Sequence, residues 1–176
     1  MPMIDFMLPA GALDPEARAE AIDKLTATLL KCEGAPDNEY TRAMCWTVVH
    51  ELPADALHVG GRVAERPVYR LLVTVPAGTL LQGPGPIGTY SRDNLVREAT
   101  EIVLAAEGTP YSPVDAARVC CIVQEVADGY WGGAGATMRI ADIVATADED
   151  GPQTARSDEV RRALDDALDP RRTNAA

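Results

Sequence analysis

Aromatic side chains are scarce in this chain: its 176 residues include one Phe, two Trp and five Tyr. The core must therefore come mainly from Val, Leu, Ile and Ala. Basic residues are scarce as well, with 16 Lys and Arg against 27 Asp and Glu, a formal charge of −11. Nucleic acid is excluded as an expected partner, because neutralising phosphates takes clustered cations. No apolar run reaches the ~20 residues of a bilayer span, and no basic segment followed by a hydrophobic block opens the chain. No membrane association and a cytoplasmic location are the expectations.

Histidine is limited to His50 and His58, too far apart in sequence for a metal-ligand cluster. The four cysteines are Cys32, Cys45, Cys120 and Cys121. Adjacent Cys120 and Cys121 would point to opposite faces of a strand, a poor geometry for a bridge or a shared metal. Reduced, mostly buried thiols are expected, with no metal and no cofactor. Gly83-Pro84-Gly85-Pro86 is glycine-rich, but it lacks a Gly-Lys-Ser/Thr ending and its prolines remove N–H donors. It is a surface loop or a lid rather than a phosphate cradle.

What is present is orderly. A 47% hydrophobic content in 176 residues suits one domain with a sizeable core, or two small repeated units packed together. The chain opens Met1-Pro2-Met3-Ile4-Asp5-Phe6. A small second residue favours removal of Met1, which would leave Pro2 as the N-terminus with a secondary amine. An ordinary α-amino group titrates at about 7.7–8.0, and burial or a nearby positive charge lowers it. Such an amine can act as a general base at neutral pH when it is held in a pocket. The alternation of Met3, Phe6 and Leu8 places Pro2 at the start of a strand.

Two units of similar pattern follow. In the first, about 1–66, Asp14-Pro15-Glu16 starts a helix striped by Ala17, Ala21, Ile22, Leu25 and Leu29 and stopped at Gly34. Met44 to Leu52 is its second strand, and Gly60-Gly61 closes it. In the second, about 67–145, Val68 to Val75 is a strand running into Pro76-Ala77-Gly78, which echoes Pro9-Ala10-Gly11. The stretch from Leu80 to Tyr90 is a longer loop. Ser91 caps a helix striped by Leu95, Ala99, Ile102, Val103 and Ala106 and ended by Gly108. Arg118 to Val126 is the last long strand, and Met138 to Val144 is expected as one more short one.

Val48 to Leu52 aligns with Ile122 to Val126. Two copies of one βαβ motif imply an α/β fold with a four-stranded sheet under two helices, each pair of strands parallel through a right-handed crossover. The other face of the sheet is left for other chains to bury, which implies an oligomer. Residues 146–176 are expected to be an acidic linker followed by a short helix from Ser157, striped by Val160, Leu164 and Leu168.

An amino-terminal proline on a strand, two βαβ units of this length and glycine-rich closures together resemble the tautomerase superfamily. Its members include 4-oxalocrotonate tautomerase and macrophage migration inhibitory factor. The resemblance covers about residues 2–145, and Asp128-Gly129-Tyr130-Trp131-Gly132 resembles the closing motif of the former. It implies a homotrimer and a cofactor-independent tautomerase, an isomerase acting on a small unsaturated carbonyl compound or carboxylic acid. Pro2 would be the general base. Trp131 falls where an aromatic wall packs on substrate, or it is a core tryptophan; Leu57 holds the corresponding place in the first unit.

The arginines that the family uses for anionic substrates are missing: Ala12 and Thr79 stand after the first strands, and Trp46 and Cys120 stand in the central ones. Candidate substitutes are Arg70, Arg118, Arg42 and Arg92, with Tyr90 beside the variable loop. Arg70 is favoured because its strand neighbours are apolar. His50 is a candidate second acid or base, or else a satisfied strand histidine; His58 reads as a loop residue. The competing readings are a non-catalytic trimeric binding protein of the same fold, and a proline-dependent dehalogenase or decarboxylase.

Overall fold

The apolar alternation that opens the chain becomes an inner strand of its sheet. The structure, a computed structural model, describes residues 2–80, 92–133 and 135–147. Strand β1 (Met3–Pro9) leads into helix α1 (Pro15–Glu33), the short helix α2 (Glu39–Met44) and β2 (Trp46–Leu52). After a single 3-10 turn comes a small hairpin, β3 (His58–Val59) and β4 (Arg62–Val63). The second unit is β5 (Tyr69–Pro76), α3 (Arg92–Ala106), the one-turn α4 (Pro113–Ala116) and β6 (Val119–Val126). A second hairpin, β7 (Trp131–Gly133) and β8 (Ala136–Met138), precedes α5 (Ile140–Ala147).

The four long strands form one sheet in the order β2-β1-β5-β6. Each unit's own strands run parallel, and the units meet antiparallel along β1 and β5. The expected tandem βαβ architecture is therefore observed. Helix α1 starts where Asp14 accepts from the Glu16 and Ala17 N–H groups, both at 3.0 Å. It ends at Gly34, whose φ of 65° is the left-handed cap conformation that glycine adopts without a Cβ clash. The second unit repeats that ending: the Ala35 N–H reaches Leu30 O at 2.9 Å, and the Thr109 N–H reaches Leu104 O at 2.9 Å. The strand ends repeat too, with Ala10 N–H to Leu52 O and Ala77 N–H to Val126 O, both at 2.8 Å.

Helices α1 and α3 pack against each other and cover one face of the sheet. Ile4, Phe6 and Leu8 of β1 and Leu71, Val73 and Val75 of β5 point into this layer and are nearly fully buried. Leu25 and Leu29 of α1 and Leu95, Val103 and Leu104 of α3 meet them. The single Phe is spent at the centre, its ring centroid 6.3 Å from that of Tyr69.

Among the described residues the opposite face carries no helix. Register places three rows across it: His50, Met7, Arg70 and Cys120; then Val48, Asp5, Leu72 and Ile122; then Trp46, Met3, Thr74 and Gln124. Trp46 is 54% exposed, Ile122 40% and Val48 39%. Three large apolar side chains on a bare sheet are what a surface covered by other chains looks like in one isolated copy.

Several local expectations are corrected. Met138 to Val144 is not a strand: only Ala136–Met138 is, and Ile140 begins a helix. The Asp128 carboxylate explains the switch, accepting the Ile140 N–H at 2.8 Å at the start of that helix. The helix also runs to Ala147, past the expected start of the linker at 146. Gly60 and Gly61, with φ of 59° and 79°, form the two-residue turn of the β3–β4 hairpin, so His58 lies in a strand. The loop up to Tyr90, the Ser91 cap and the helix from Ser157 lie outside the described residues.

Candidate functional site

Pro2 is buried within the single chain, one residue before β1. Its carbonyl accepts the Trp46 N–H at 3.1 Å, which ties the start of the chain to β2. A residue anchored by the strand pairing of its neighbour is fixed in direction, as a base must be. The Trp46 ring stands beside Met3 on the bare face, and Thr74 pairs with Met3 from β5. This end of the sheet is also where β6 leaves for the β7–β8 hairpin, since Gln124 pairs with Thr74 and Val126 with Pro76.

Beneath the same end, on the helix side, lies Glu33, only 6% exposed. The Thr79 hydroxyl, itself 8% exposed, is 3.0 Å from Glu33 Oε1 and 2.9 Å from Pro76 O. Cys45 precedes Trp46, and its thiol is pushed up to about 11 by burial and then by the negative charge of Glu33. Cys32, beside Glu33 in α1, is likewise raised to about 11 by burial first and by Glu98 next. These thiols stay protonated and are no nucleophiles at neutral pH.

The other end of the sheet is the pseudo-symmetric mate of this one. Tyr69 occupies the place of Pro2, Glu107 that of Glu33, and Arg118 that of Met44. Tyr69 is 2% exposed, and its hydroxyl donates to Glu107 Oε1 at 3.1 Å. Arg118 grips the same carboxylate with Nη1 to Oε1 at 2.8 Å and Nη2 to Oε2 at 2.5 Å, and donates to Pro67 O at 2.6 Å. Arg118 holds the Glu107 carboxyl below the usual carboxylate range, while burial and then Glu107 push the Tyr69 hydroxyl up. A cavity of about 320 Å³ opens beside it, lined by Val59, Arg62, Val63, Arg66, Val68 and Arg118 among others.

The residues expected around Pro2 are thus dispersed in one chain. Arg118 belongs to the far end and is committed to Glu107. Arg70 pairs with Met7, five residues along β1 from Pro2, or about 17 Å at the usual strand rise. Its Nη1 lies 3.3 Å from Met7 Sδ, and among the described residues it makes no ion pair. His50 shares that row, and its Nε2 is 2.7 Å from Asp5 Oδ1. Arg42 of α2 is tied to Asp37 at 2.5 Å and Asp23 at 2.6 Å. Trp131 emerges at the Pro2 end but is 8% exposed, whereas Tyr130 beside it is 83% exposed. Among the described residues no group of three or more His, Cys, Asp or Glu side chains could hold a metal ion.

Sequence reasoning missed Glu33, and it noted Thr79 only as standing where the family has an arginine. A signal for Glu33 was present: a carboxylate in the last turn of a helix opposes the helix dipole, so it needs a local reason. The same Glu-Gly pair recurs at Glu107-Gly108 in the second unit.

Comparison of the whole architecture with solved structures decides the fold. A wild-type fused 4-OT asymmetric trimer matches 77% of this chain and 94% of its own, at 20% identity and a TM-score of 0.57. A protein inactivated by 2-oxo-3-pentynoate matches 77% and 95%, at 17% identity and 0.60. The macrophage migration inhibitory factor-like protein of Entamoeba histolytica matches 78% and 98%, at 14% identity and 0.55. This is the tautomerase-superfamily fold. No protein-family model matches the chain, and no curated protein does. In the tautomerase fold described here the strands and caps repeat closely, while the side chains at the two sheet ends have diverged into a proline end and a tyrosine–arginine end.

Proposed function

We propose that this chain, without Met1, is a cofactor-independent tautomerase that works as a homotrimer with the Pro2 amine as general base. The observation that carries the reading is the placement of Pro2: buried, at the start of an inner strand, and anchored through Trp46 in a fold shared with 4-OT structures. The proline nitrogen takes the enol hydroxyl proton, the oxygen's electron pair forms the carbonyl, and the π pair takes the proton back at carbon. No bond to a cofactor is needed for that exchange. The trimer is supported by the bare face with Trp46, Val48 and Ile122 exposed, and by the trimeric state of the fused 4-OT relative. Arg70 and His50 on that face would then meet a neighbouring subunit, with Trp131 flanking the proline end.

The test joins intact mass with turnover. Loss of Met1, turnover of phenylenolpyruvate or 2-hydroxymuconate, and its loss in Pro2→Ala are the expected results. 2-Oxo-3-pentynoate should add to the Pro2 nitrogen and be located there by peptide mapping. A retained Met1 with no turnover would sink the proposal.

A second reading, a non-catalytic trimeric binding protein, is favoured by one observation: Arg118 is committed to Glu107, and Arg70 lies far along the strand from Pro2. Halo-acrylates in the same panel separate proline-dependent dehalogenation from both.

A further inference from the structure

The cavity at the tyrosine–arginine end has no part in proton transfer by Pro2. It holds about 320 Å³, the size at which small-molecule pockets begin. Its walls are the β3–β4 hairpin, the segment that leads from this hairpin to β5, and Arg118 just before β6.

Those walls are fixed within the chain itself. The Ala64 N–H donates to Leu57 O at 2.9 Å, which extends the hairpin by one rung. Arg66 Nη2 lies 2.6 Å from Asp115 Oδ1, and Arg118 Nη1 donates to Pro67 O at 2.6 Å. The Tyr69 N–H then donates to Arg118 O at 2.8 Å. The segment 64–69 is thus tied down along its length, and a pocket fixed in advance loses little freedom when it is filled.

The lining is of two kinds. Val59, Val63 and Val68 supply an apolar wall, and the first two are exposed. Arg62, Arg66 and Arg118 bring three guanidinium groups against one lining carboxylate, Glu65. Val59 and Arg62 are directly opposite in the hairpin register, so their side chains share a face. The three cations are in different states. Both Nη atoms of Arg118 are committed to Glu107, Asp115 and Pro67 O, while its Nε is buried without a hydrogen-bond partner. Arg66 spends one nitrogen on Asp115. Arg62 makes no ion pair among the described residues, in a chain where 27 acidic residues face 16 Lys and Arg. An unspent guanidinium beside a fixed apolar wall suits an acid with an apolar body, and Glu65 opposes a second negative charge on it.

We propose that this cavity is a second ligand site, separate from the proline end, for a small monocarboxylate with an apolar body. The carboxylate sits on Arg62 and the remaining nitrogens of Arg66, and the body lies against the valines. Arg118 is the fixed floor rather than the grip. The site goes beyond the tautomerase reading and does not depend on Pro2 being a free amine.

The experiment titrates the full-length, ¹⁵N-labelled protein with phenylacetate and follows its amide resonances. A ligand of about ten non-hydrogen atoms should bind in the millimolar range. The amides of Val59, Arg62, Val63, Arg66 and Val68 should shift together with one binding curve. Phenylacetamide, of the same shape without the charge, should leave them in place. Arg62→Gln, which removes no contact within the fold, should weaken phenylacetate binding about ten-fold. Arg97→Gln, on α3, should bind as the parent does. Equal shifts with phenylacetamide, or equal affinity in Arg62→Gln, overturn the proposal, as does equal weakening in Arg97→Gln. So do shifts confined to Met3, Tyr130 and Trp131, which would put the probe at the proline end. No shift of the cavity amides, as when a neighbouring subunit fills the space, overturns it as well.

Discussion

Arg118 and Glu107 face each other with two parallel hydrogen bonds, at 2.8 and 2.5 Å, and their side chains are 10% and 11% exposed. A guanidinium held this way is committed, which removes Arg118 from the candidates for gripping a substrate carboxylate in its own chain. Breaking such a buried pair leaves one charge without its partner, at a cost of about 3–5 kcal/mol. Arg118→Ala should therefore lower stability by that order in urea unfolding, while KM for the best substrate stays close to the parent value in protein that remains folded.

The same pair sets an acid limit. Arg118 holds the Glu107 carboxyl below the ordinary carboxylate range in the folded chain. Its contribution is complete above the ordinary Glu value of about 4.3 and is lost as pH falls through the lower, folded value. Stability measured between about pH 5 and 2 should fall less steeply in Glu107→Gln than in the parent protein.

Ile122 stands on the bare face, in one row with Val48, Asp5 and Leu72. Ile122→Asp removes apolar contact area and adds a charge to that row, two strands from Asp5, without touching the helix-covered core. Sedimentation should show monomers in place of the proposed trimer of the parent protein, with the far-ultraviolet circular dichroism retained. A trimer that survives this change would mean that another surface makes the assembly.

His50 Nε2 and Asp5 Oδ1 lie 2.7 Å apart on the same face, partly exposed in one chain. Covering the face strengthens a contact that water now screens, and removing one partner leaves the other unpaired. Asp5→Asn and His50→Ala should each raise the concentration at which the proposed trimer dissociates, by roughly 30-fold for a loss of about 1.4 kcal/mol at each of its three subunit contacts.

Phe6 is fully buried between the helices and the sheet, in contact range of Tyr69. Phe6→Ala should cost about 3–5 kcal/mol in denaturant unfolding, because few aromatic side chains are at hand to fill the space.

Most of the architecture was legible because it rests on local signals. The Asp14-Pro15 start, the Gly34 and Gly108 stops and the apolar alternation of β1 and β5 each act within a few residues, and they needed no distant partner. The β3–β4 and β7–β8 hairpins were not seen, since two- and three-residue strands carry no period. Helix α5 was mistaken for a strand because Ile140, Ile143 and Val144 are good strand formers, and only Asp128, twelve residues away, supplies the cap.

The site was less legible for a different reason. Pro2 could be singled out from its place in the chain, but Arg70, Arg118 and His50 were chosen by residue type. Where each lies depends on register across four strands, and that is a long-range property. Trp131 was identified by motif, and its burial relative to Tyr130 depends on the twist of a hairpin that sequence alone did not reveal.

A polypeptide has one amino terminus however many times its motif is copied. With Met1 removed, as proposed, two βαβ units in one chain share a single secondary amine between two sheet ends, and the proposed trimer holds three such amines rather than six. The interior copy, joined by a peptide bond at Tyr69, can never offer that amine. Its end is instead a fastening of tyrosine, glutamate and arginine, and that difference between the two ends follows from the covalent connection itself.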